Sequence, residues 1–351
     1  MRTMRLVVTG GAGFIGSSFI RYRLHRHPDD EVVSLDLLTY AADPASLSDV
    51  ERAHPGRYTL RRGDIADVSG VTSLFEEFRP DVVVNFAAES HNSRAIVDPG
   101  AFMRTNALGT QSLLEGARRA RVERFHHIST CEVYGDLALD STQTFSETSP
   151  YRPRTPYNAS KAAADMIVRA YHETFNLPVT ISNCSNNYGP WQFPEKVIPL
   201  FVTSALLDEP LPLYRHSRNK REWLHVDDHC AAIELILERG TIGETYNVGS
   251  GDERSIDELA DLILEGCGKP TSLKRYVEDR PGHDRRYLLD HSKITTELGW
   301  SPRVAFPDGL ESTIAWYREH RDWWGPKRQA VRDQLDEARW SDLARSTPAA
   351  G

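Results

Sequence analysis

Thr9-Gly10-Gly11-Ala12-Gly13-Phe14-Ile15-Gly16-Ser17 follows a short apolar run, Leu6-Val7-Val8. It passes into a pattern with Phe14, Ile15, Phe19 and Ile20 along one side, so the order is strand, glycine turn, helix. Gly10, Gly13 and Gly16 stand in G-x-x-G-x-x-G spacing, a variant of the dinucleotide fingerprint. Glycines let the backbone turn tightly and approach a pyrophosphate, and the helix N-terminus offers it free N–H groups and a favourable dipole. The next strand, Glu31 to Leu35, ends in Asp36, about twenty residues past Gly16. A carboxylate there can bond an adenosine ribose and would repel a 2′-phosphate, which favours NAD over NADP.

The alternation continues outward. Tyr58 to Arg61 reads as a strand ending in Gly63-Asp64-Ile65, with Asp64 placed to meet the adenine. Asp81 to Phe86 reads as a buried parallel strand that opens on Ala87-Ala88-Glu89-Ser90-His91, small residues that let a cofactor lie against the backbone. A helix is expected over 100–120, a strand over 124–129, a helix over 159–175 and a strand over 179–183. This series predicts an α/β fold, a Rossmann-type doubly wound parallel sheet with ligands at the carboxyl edge of its strands. Residues 184–221, rich in Pro, Asn and aromatics, are expected to be too irregular for another βα unit and to line a ligand. A helix over 226–238 and a strand over 245–248 follow, then a capping box at Ser255 and Glu258 opening a helix to about Cys267. The expected division is 1–183, with 222–248 returning to it, as the NAD-binding domain. A smaller α/β substrate-binding domain takes 184–221 and 249–325, and 326–351 is a tail. From Trp323 the chain is expected to be weakly helical, with a frayed small-residue end.

With 351 residues, 40% hydrophobic and 26% charged, the chain can bury about two domain-sized cores. A net charge of −8 argues against a nucleic-acid or phospholipid partner. No apolar run reaches the ~20 residues of a membrane span, and the N-terminus leads straight into a strand rather than a secretory signal. Cys131, Cys184, Cys230 and Cys267 show no ligand-like spacing, which fits a reduced cytoplasmic interior without zinc or disulfides. His25 with His27 and His126 with His127 read as a solvated helix end and a strand, not as metal ligands.

Ser129-Thr130-Cys131-Glu132 closes a strand, and Tyr157 and Lys161 stand one helical turn apart. The lysine charge is expected to lower the phenol's pKa, favouring it as a proton acceptor near neutral pH. Asp279 to Arg286, D-R-P-G-H-D-R-R, is a basic loop able to grip a diphosphate through forked guanidinium groups.

These pieces resemble the extended short-chain dehydrogenase/reductase superfamily, and within it the nucleotide-diphosphate-glucose 4,6-dehydratases, above all the dTDP-glucose enzymes. The matching segments are T-G-G-A-G-F-I-G-S, D-L-L-T-Y, G-D-I-A-D, F-A-A-E-S-H, N-A-L-G-T, S-T-C-E-V-Y-G, Y-N-A-S-K, S-N-C-S-N-N-Y-G-P-W-Q-F-P-E-K, R-E-W-L-H-V-D-D-H and D-R-P-G-H-D-R-R, in family order from residue 9 to about 290. The resemblance implies a tightly held NAD that is reduced and reoxidised within one turnover. It gives Tyr157 the proton of the sugar C4 hydroxyl, Glu132 the C5 proton and Thr130 the C4 oxygen, with Lys161 beside Tyr157. NAD contacts are implied for Gly10, Gly13, Phe14, Ile15, Gly16, Asp36, Leu37, Thr39, Asp64, Ile65, Phe86, Ala87, Ala88, Ser90, Thr105, Tyr157, Lys161 and Asn187. The nucleotide-diphosphate sugar is assigned to Ser90, Arg94, Thr130, Asn186, Lys196, Val197, Pro212, Tyr214, Arg221, Arg280 and His283. A homodimer is implied through a four-helix bundle of 100–120 and 159–175, where Leu113, Leu114, Met166 and Ile167 serve the interface or the core.

The family pattern at the strand end is S-T-D-E, whereas this chain has Cys131 in place of the acid that expels the C6 hydroxyl. An ordinary thiol, with a pKa of about 8.5, is mostly protonated at pH 7 and can donate. Three readings follow: a 4,6-dehydratase with Cys131 as acid; a 5,6-dehydratase of the tunicamycin-pathway type, returning hydride to C4 and leaving a 5,6-alkene; or an epimerase or NAD-binding regulatory protein in which Cys131 is a bystander. H-N-S-R-A also replaces the usual H-V-D-R-S. L-Y-R-H-S-R-N-K-R-E-W adds Arg215, His216, Arg218 and Lys220 near the expected diphosphate site. Both changes leave the nucleotide open, with dTDP the first choice over UDP.

Overall fold

The structure, a computed structural model, describes residues 3–215, 218–279 and 282–337. A parallel sheet runs in the order β10-β6-β5-β4-β1-β2-β3. Its strands are β1 (Arg5–Thr9), β2 (Glu31–Asp36), β3 (Tyr58–Arg62), β4 (Val82–Asn85), β5 (Arg124–Thr130), β6 (Val179–Cys184) and β10 (Thr245–Val248). The order reverses between β1 and β4, which pair as Leu6↔Val82 through Thr9↔Asn85, and this reversal opens a crevice at their carboxyl ends.

Period-two alternation explains the layers. Val7, Val33, Val83 and Phe125 face one side, where Leu113, Leu114 and Val168 pack. Leu6, Val8 and Val84 face the other, against Phe19, Ile20 and Ile233. Leu113 and Leu114 therefore belong to the core and not to an interface, while Met166 is exposed.

The expected helix over 100–120 is one helical run beginning at Pro99, but its turns widen to i→i+5 spacing over Met103–Gly109 before Thr110–Ala120. The expected helix over 159–175 starts earlier, at Pro156, behind the cap Thr155. His126 and His127 are buried in β5, and His27 is not simply solvated, since its ring lies 2.7 Å from Glu234.

The stretch expected to be irregular is more ordered than its composition suggests. It holds β7 (Asn186–Tyr188), a helix Val197–Leu206, β8 (Leu211–Tyr214) and the start of β9 (Lys220–His225). That helix is apolar on nearly every side and carries Pro199 in its first turn, where proline is tolerated, so it shows no amphipathic period. β11 (Glu253–Ser255) and β7 flank β9, and β12 (Lys274–Val277) pairs with β8. A second core forms here from Phe201, Val202, Leu259, Ile263, Leu310, Ile314 and Tyr317. Trp324 is buried in it, so the helix Arg321–Glu337 continues through the expected start of the tail. The small-residue end lies outside the described residues. Among the described residues no helix is long and apolar enough to cross a membrane.

Candidate active site

The crevice between β1 and β4 is shaped first by glycine. Gly10 has φ +66°, and a Cβ there would come within 2.7 Å of the Ala87 nitrogen. A Cβ on Gly16 would lie 2.3 Å from the Gly10 oxygen. Any side chain at either position closes the turn, so the helix N-terminus stays bare for an anion. Asp36 stands beside it, its carboxylate accepting from the Ala12 nitrogen at 2.9 Å and the Leu38 nitrogen at 2.8 Å. Burial raises its pKa and the two N–H groups work against that. Asp64 accepts from the Ala66 nitrogen at 2.8 Å and pairs with Arg104 at 2.7 Å. A glycine cradle that any Cβ would fill and a carboxylate at the end of β2 fit NAD.

The cleft wall contains the expected Gly10, Gly13, Phe14, Ile15, Gly16, Asp36, Leu37, Thr39, Asp64, Ile65, Phe86, Ala87, Ala88, Ser90, Thr105, Tyr157, Lys161 and Asn187. It also contains residues the sequence reading missed, among them Glu89, Cys184, Ser185, Gln192 and Glu195. The Ser185 hydroxyl, Asn186 Oδ1 and Gln192 Oε1 are buried without a protein partner, which suits acceptors and donors meant for a ligand. The signal for them lay in the Asn-rich S-N-N-Y-G-P-W-Q-F-P-E-K segment, whose polar residues would be costly to bury otherwise.

Thr130 ends β5 and caps the short turn Cys131–Tyr134, its hydroxyl accepting from the Glu132 nitrogen at 3.2 Å. Thr155 caps the helix that carries Tyr157 and Lys161, so Glu132 on one side and Tyr157 with Lys161 on the other both start at capped termini. Lys161 Nζ donates to the Ile128 carbonyl at 2.7 Å and lies 3.4 Å from His127 Nε2. Burial lowers its pKa. Asp165, one turn further on, accepts from Ser129 at 2.7 Å and Tyr151 at 2.9 Å.

The Tyr157 phenol does not follow the expected direction. Burial, then the charges of Glu132 and Cys184, push its pKa well above the ordinary value, and only the Thr130 hydroxyl pulls the other way. Lys161 is not among the groups that lower it, and its ammonium donates to the Ile128 carbonyl.

Cys131 lies apart from the cleft wall. It is 2% exposed and packs with Val133, Tyr134, Ala162, Tyr287 and Leu289. Burial, then Glu132, raises the thiol's pKa well above the usual range, so it holds its proton more tightly than an ordinary thiol. Glu132 does line the cleft, with Thr130.

The residues expected to hold the sugar nucleotide divide into two groups. Ser90, Thr130, Asn186 and Lys196 line the cleft, and Lys196 Nζ donates to the Ser90 carbonyl at 3.0 Å. Arg94 lies over the Tyr40 ring at 3.4 Å and 3.8 Å from Glu195, which accepts from the Tyr40 hydroxyl at 2.8 Å. Val197, Pro212, Tyr214, Arg221 and His283 are not on the cleft wall. Tyr214 and His283 meet edge to face at 5.1 Å. Arg221 is buried, donating to the carbonyls of Asp284 at 2.8 Å and Lys220 at 2.7 Å. Arg280 and His216 lie outside the described residues.

Residues 7–313 match the family described as GDP-mannose 4,6 dehydratase. The dTDP-glucose 4,6-dehydratase of Streptomyces niveus is 48% identical, covering 92% of this chain and 95% of its own. The Mycobacterium tuberculosis enzyme of the same description is 47% identical, covering 95% and 99%. Among solved structures, DesIV, a dTDP-glucose 4,6-dehydratase from Streptomyces venezuelae with NAD and TYD bound, superposes with a TM-score of 0.89 at 48% identity, covering 92% of this chain and all of its own. A UDP-glucose 4-epimerase from Thermotoga maritima reaches a TM-score of 0.83 at only 27% identity and 90% coverage of this chain.

Proposed function

This chain belongs to the GDP-mannose 4,6-dehydratase family, and from that membership we propose that it is an NAD-dependent dTDP-glucose 4,6-dehydratase, a hydro-lyase forming a 4-keto-6-deoxy sugar nucleotide. The observation that carries the reading is the meeting of Thr130, Glu132, Tyr157 and Lys161 in one glycine-floored cleft. NAD, when bound, would supply a reversible hydride acceptor for oxidation of the sugar at C4 and its later reduction at C6.

The chain's own groups do the rest. Gly10, Gly13 and Gly16 seat the pyrophosphate and Asp36 the ribose. Tyr157 takes the C4 hydroxyl proton, and Thr130 bonds the oxygen left behind. Glu132 removes the C5 proton once a 4-ketone has acidified it. Cys131 stands at the acid's position beside Glu132. Ser90, Asn186 and Lys196 bind the nucleotide diphosphate from the cleft wall, and Arg94, which lies over Tyr40 and off that wall, adds its guanidinium to them. Val197, Pro212, Tyr214, Arg221 and His283 stay in this proposal as residues that complete the substrate pocket.

Incubation of the purified protein with dTDP-glucose is expected to give a product lighter by one water that absorbs in alkali as a 4-ketone. Loss of water without that ketone would instead favour the 5,6-alkene reading, which the buried, reluctant Cys131 thiol keeps in play. No turnover on dTDP- or UDP-sugars would overturn both. Cys131→Asp and Cys131→Ala separate the roles: an unchanged rate in the alanine variant removes the thiol from the chemistry.

The loop Leu37–Asp43, which lines the cleft at Leu37 and Thr39, is tied down at both ends. Tyr40 is held by Glu195, and the Asp43 carboxylate accepts from Trp323 Nε1 at 2.7 Å and pairs with Lys327 at 2.9 Å. Asp43→Ala is therefore expected to release NAD about five- to tenfold faster, each tenfold being about 1.4 kcal/mol. The nucleotide retained through gel filtration measures this.

A homodimer completes the proposal. Met103 and Leu108 on one helical run, and Met166 and Phe175 on the helix Pro156–Phe175, are large exposed apolar side chains. Sedimentation at micromolar concentration tests it. We place the enzyme in the cytoplasm, where its free cysteines stay reduced.

A further inference from the structure

We infer that Asn92 is a positioning residue that aims the Glu132 carboxylate at the substrate, and that it does so in place of the acidic neighbour that Cys131 no longer provides. This rests on the proposed role of Glu132 as the base.

The geometry fixes the amide's orientation. Thr155 Oγ1 accepts from the Asn158 nitrogen at 3.2 Å as the helix cap, so its hydrogen is free to go elsewhere. It goes to Asn92 Oδ1, at 2.8 Å. The amide nitrogen must then point the other way, and it donates to Glu132 Oε2 at 3.1 Å. Glu132 Oε1 takes no hydrogen bond among the described residues, so one oxygen is anchored and the other is left to act. The line Asn158–Thr155–Asn92–Glu132 ties the base to the first turn of the helix that bears Tyr157 and Lys161. Two groups that must act on adjacent sugar carbons, from strand β5 and from this helix, are thus held in one frame.

Two of the departures from the family pattern, Cys131 and Asn92, flank Glu132, the first in sequence and the second through its amide. Valine, usual at position 92, has no N–H to donate, and the chain that has lost Asp at 131 carries an amide at 92. A carboxylate with a neighbour missing on one side gains a donor on the other.

The step concerned is the break of the C5–H bond. The proton goes to Glu132, and the electron pair passes into the enolate of the C4 ketone. It can be separated from C4 oxidation by experiment. In D2O with dTDP-glucose, stopped-flow absorbance at 340 nm follows NADH formation, and mass spectrometry follows deuterium entering at C5. In Asn92→Val and in Asn92→Leu, neither of which can donate, NADH formation is expected to stay within about twofold. Deuterium entry should fall about ten- to hundredfold, the range for a hydrogen bond to a charged group. Unchanged deuterium entry would overturn the inference. So would an equal loss of both steps in a folded Asn92→Leu variant, because Asn92 would then support the helix rather than the base. A wild-type protein that shows neither signal would instead sink the proposed function.

Discussion

Tyr157→Phe is expected to lower kcat by about 10²- to 10⁴-fold, the usual worth of a general acid–base group, while the protein keeps its NAD. The ring packs edge to face with Phe102 at 6.2 Å, and phenylalanine preserves that contact. Only the hydroxyl is lost, and with it the acceptor for the C4 proton. The phenol's raised pKa sharpens the expectation. A buried phenol near Glu132 resists ionisation, so proton transfer must be concerted with departure of the hydride or aided by positive charge brought in with the cofactor. Lys161→Ala should be worse in a different way. Its ammonium is fully enclosed near Asp165 and bonded to the Ile128 carbonyl. Removing it empties a fully buried site and takes away the positive charge that Asp165 favours, so stability is lost along with turnover. Steady-state rates, bound nucleotide and urea midpoints together separate the two variants. A Tyr157→Phe enzyme within tenfold of wild type would remove Tyr157 from the chemistry.

Much of this site was legible because its signals are local. Apolar runs of four to six residues, glycines at fixed spacing and an acid at the next strand end all act within one βα unit, and each stands where the pattern placed it. What failed to show was set by contacts between distant segments. The helix Val197–Leu206 has no polar face, since its burial is nearly complete, and so it carried no period to read. The carbonyls of Lys220 and Asp284 that hold the Arg221 guanidinium come from a neighbouring residue and from a segment more than sixty positions away, and no pattern around Arg221 announces them. Cys131 and Glu132 are neighbours in sequence, yet the turn after β5 sends one into a packed cluster and the other into the cleft. The Asn92 amide reaches Glu132 across forty positions, and no pattern in either segment announces it. The direction of the Tyr157 pKa followed from burial, which a helical spacing alone does not reveal.

Two buried histidines should make the protein sensitive to acid. His229 is fully enclosed, its Nδ1 2.9 Å from Asn187 Oδ1 and its Nε2 without a partner. Burial alone lowers its pKa from 6.5 to about 3. His127 is lowered from 6.5 to about 4, first by burial and then by Lys161, with Asp165 opposing. Between these values and 6.5 the unfolded chain binds more protons than the folded one, so stability is whole above pH 6.5 and drains away as pH falls. At about 1.4 kcal/mol per unit, each histidine costs about 2 kcal/mol at pH 5. Glu222 works in the other direction. Burial raises it from 4.5 to about 7, so its stabilising share is full below 4.5 and lost as pH rises through 7. It restores roughly 2 kcal/mol at pH 5, and the cleft acids Asp36, Glu89 and Glu195, all raised, add on its side. The net pH profile is therefore a contest, and single variants resolve it. His229→Gln keeps an N–H for Asn187 and does not titrate. Its urea-derived stability relative to wild type should be about 2 kcal/mol higher at pH 5 than at pH 7.5, whatever the acids contribute. Glu222→Gln should show the opposite, a steeper loss on acidification. If the His229→Gln and wild-type profiles run parallel, His229 takes up its proton in the folded state and its burial is not what the fold makes it.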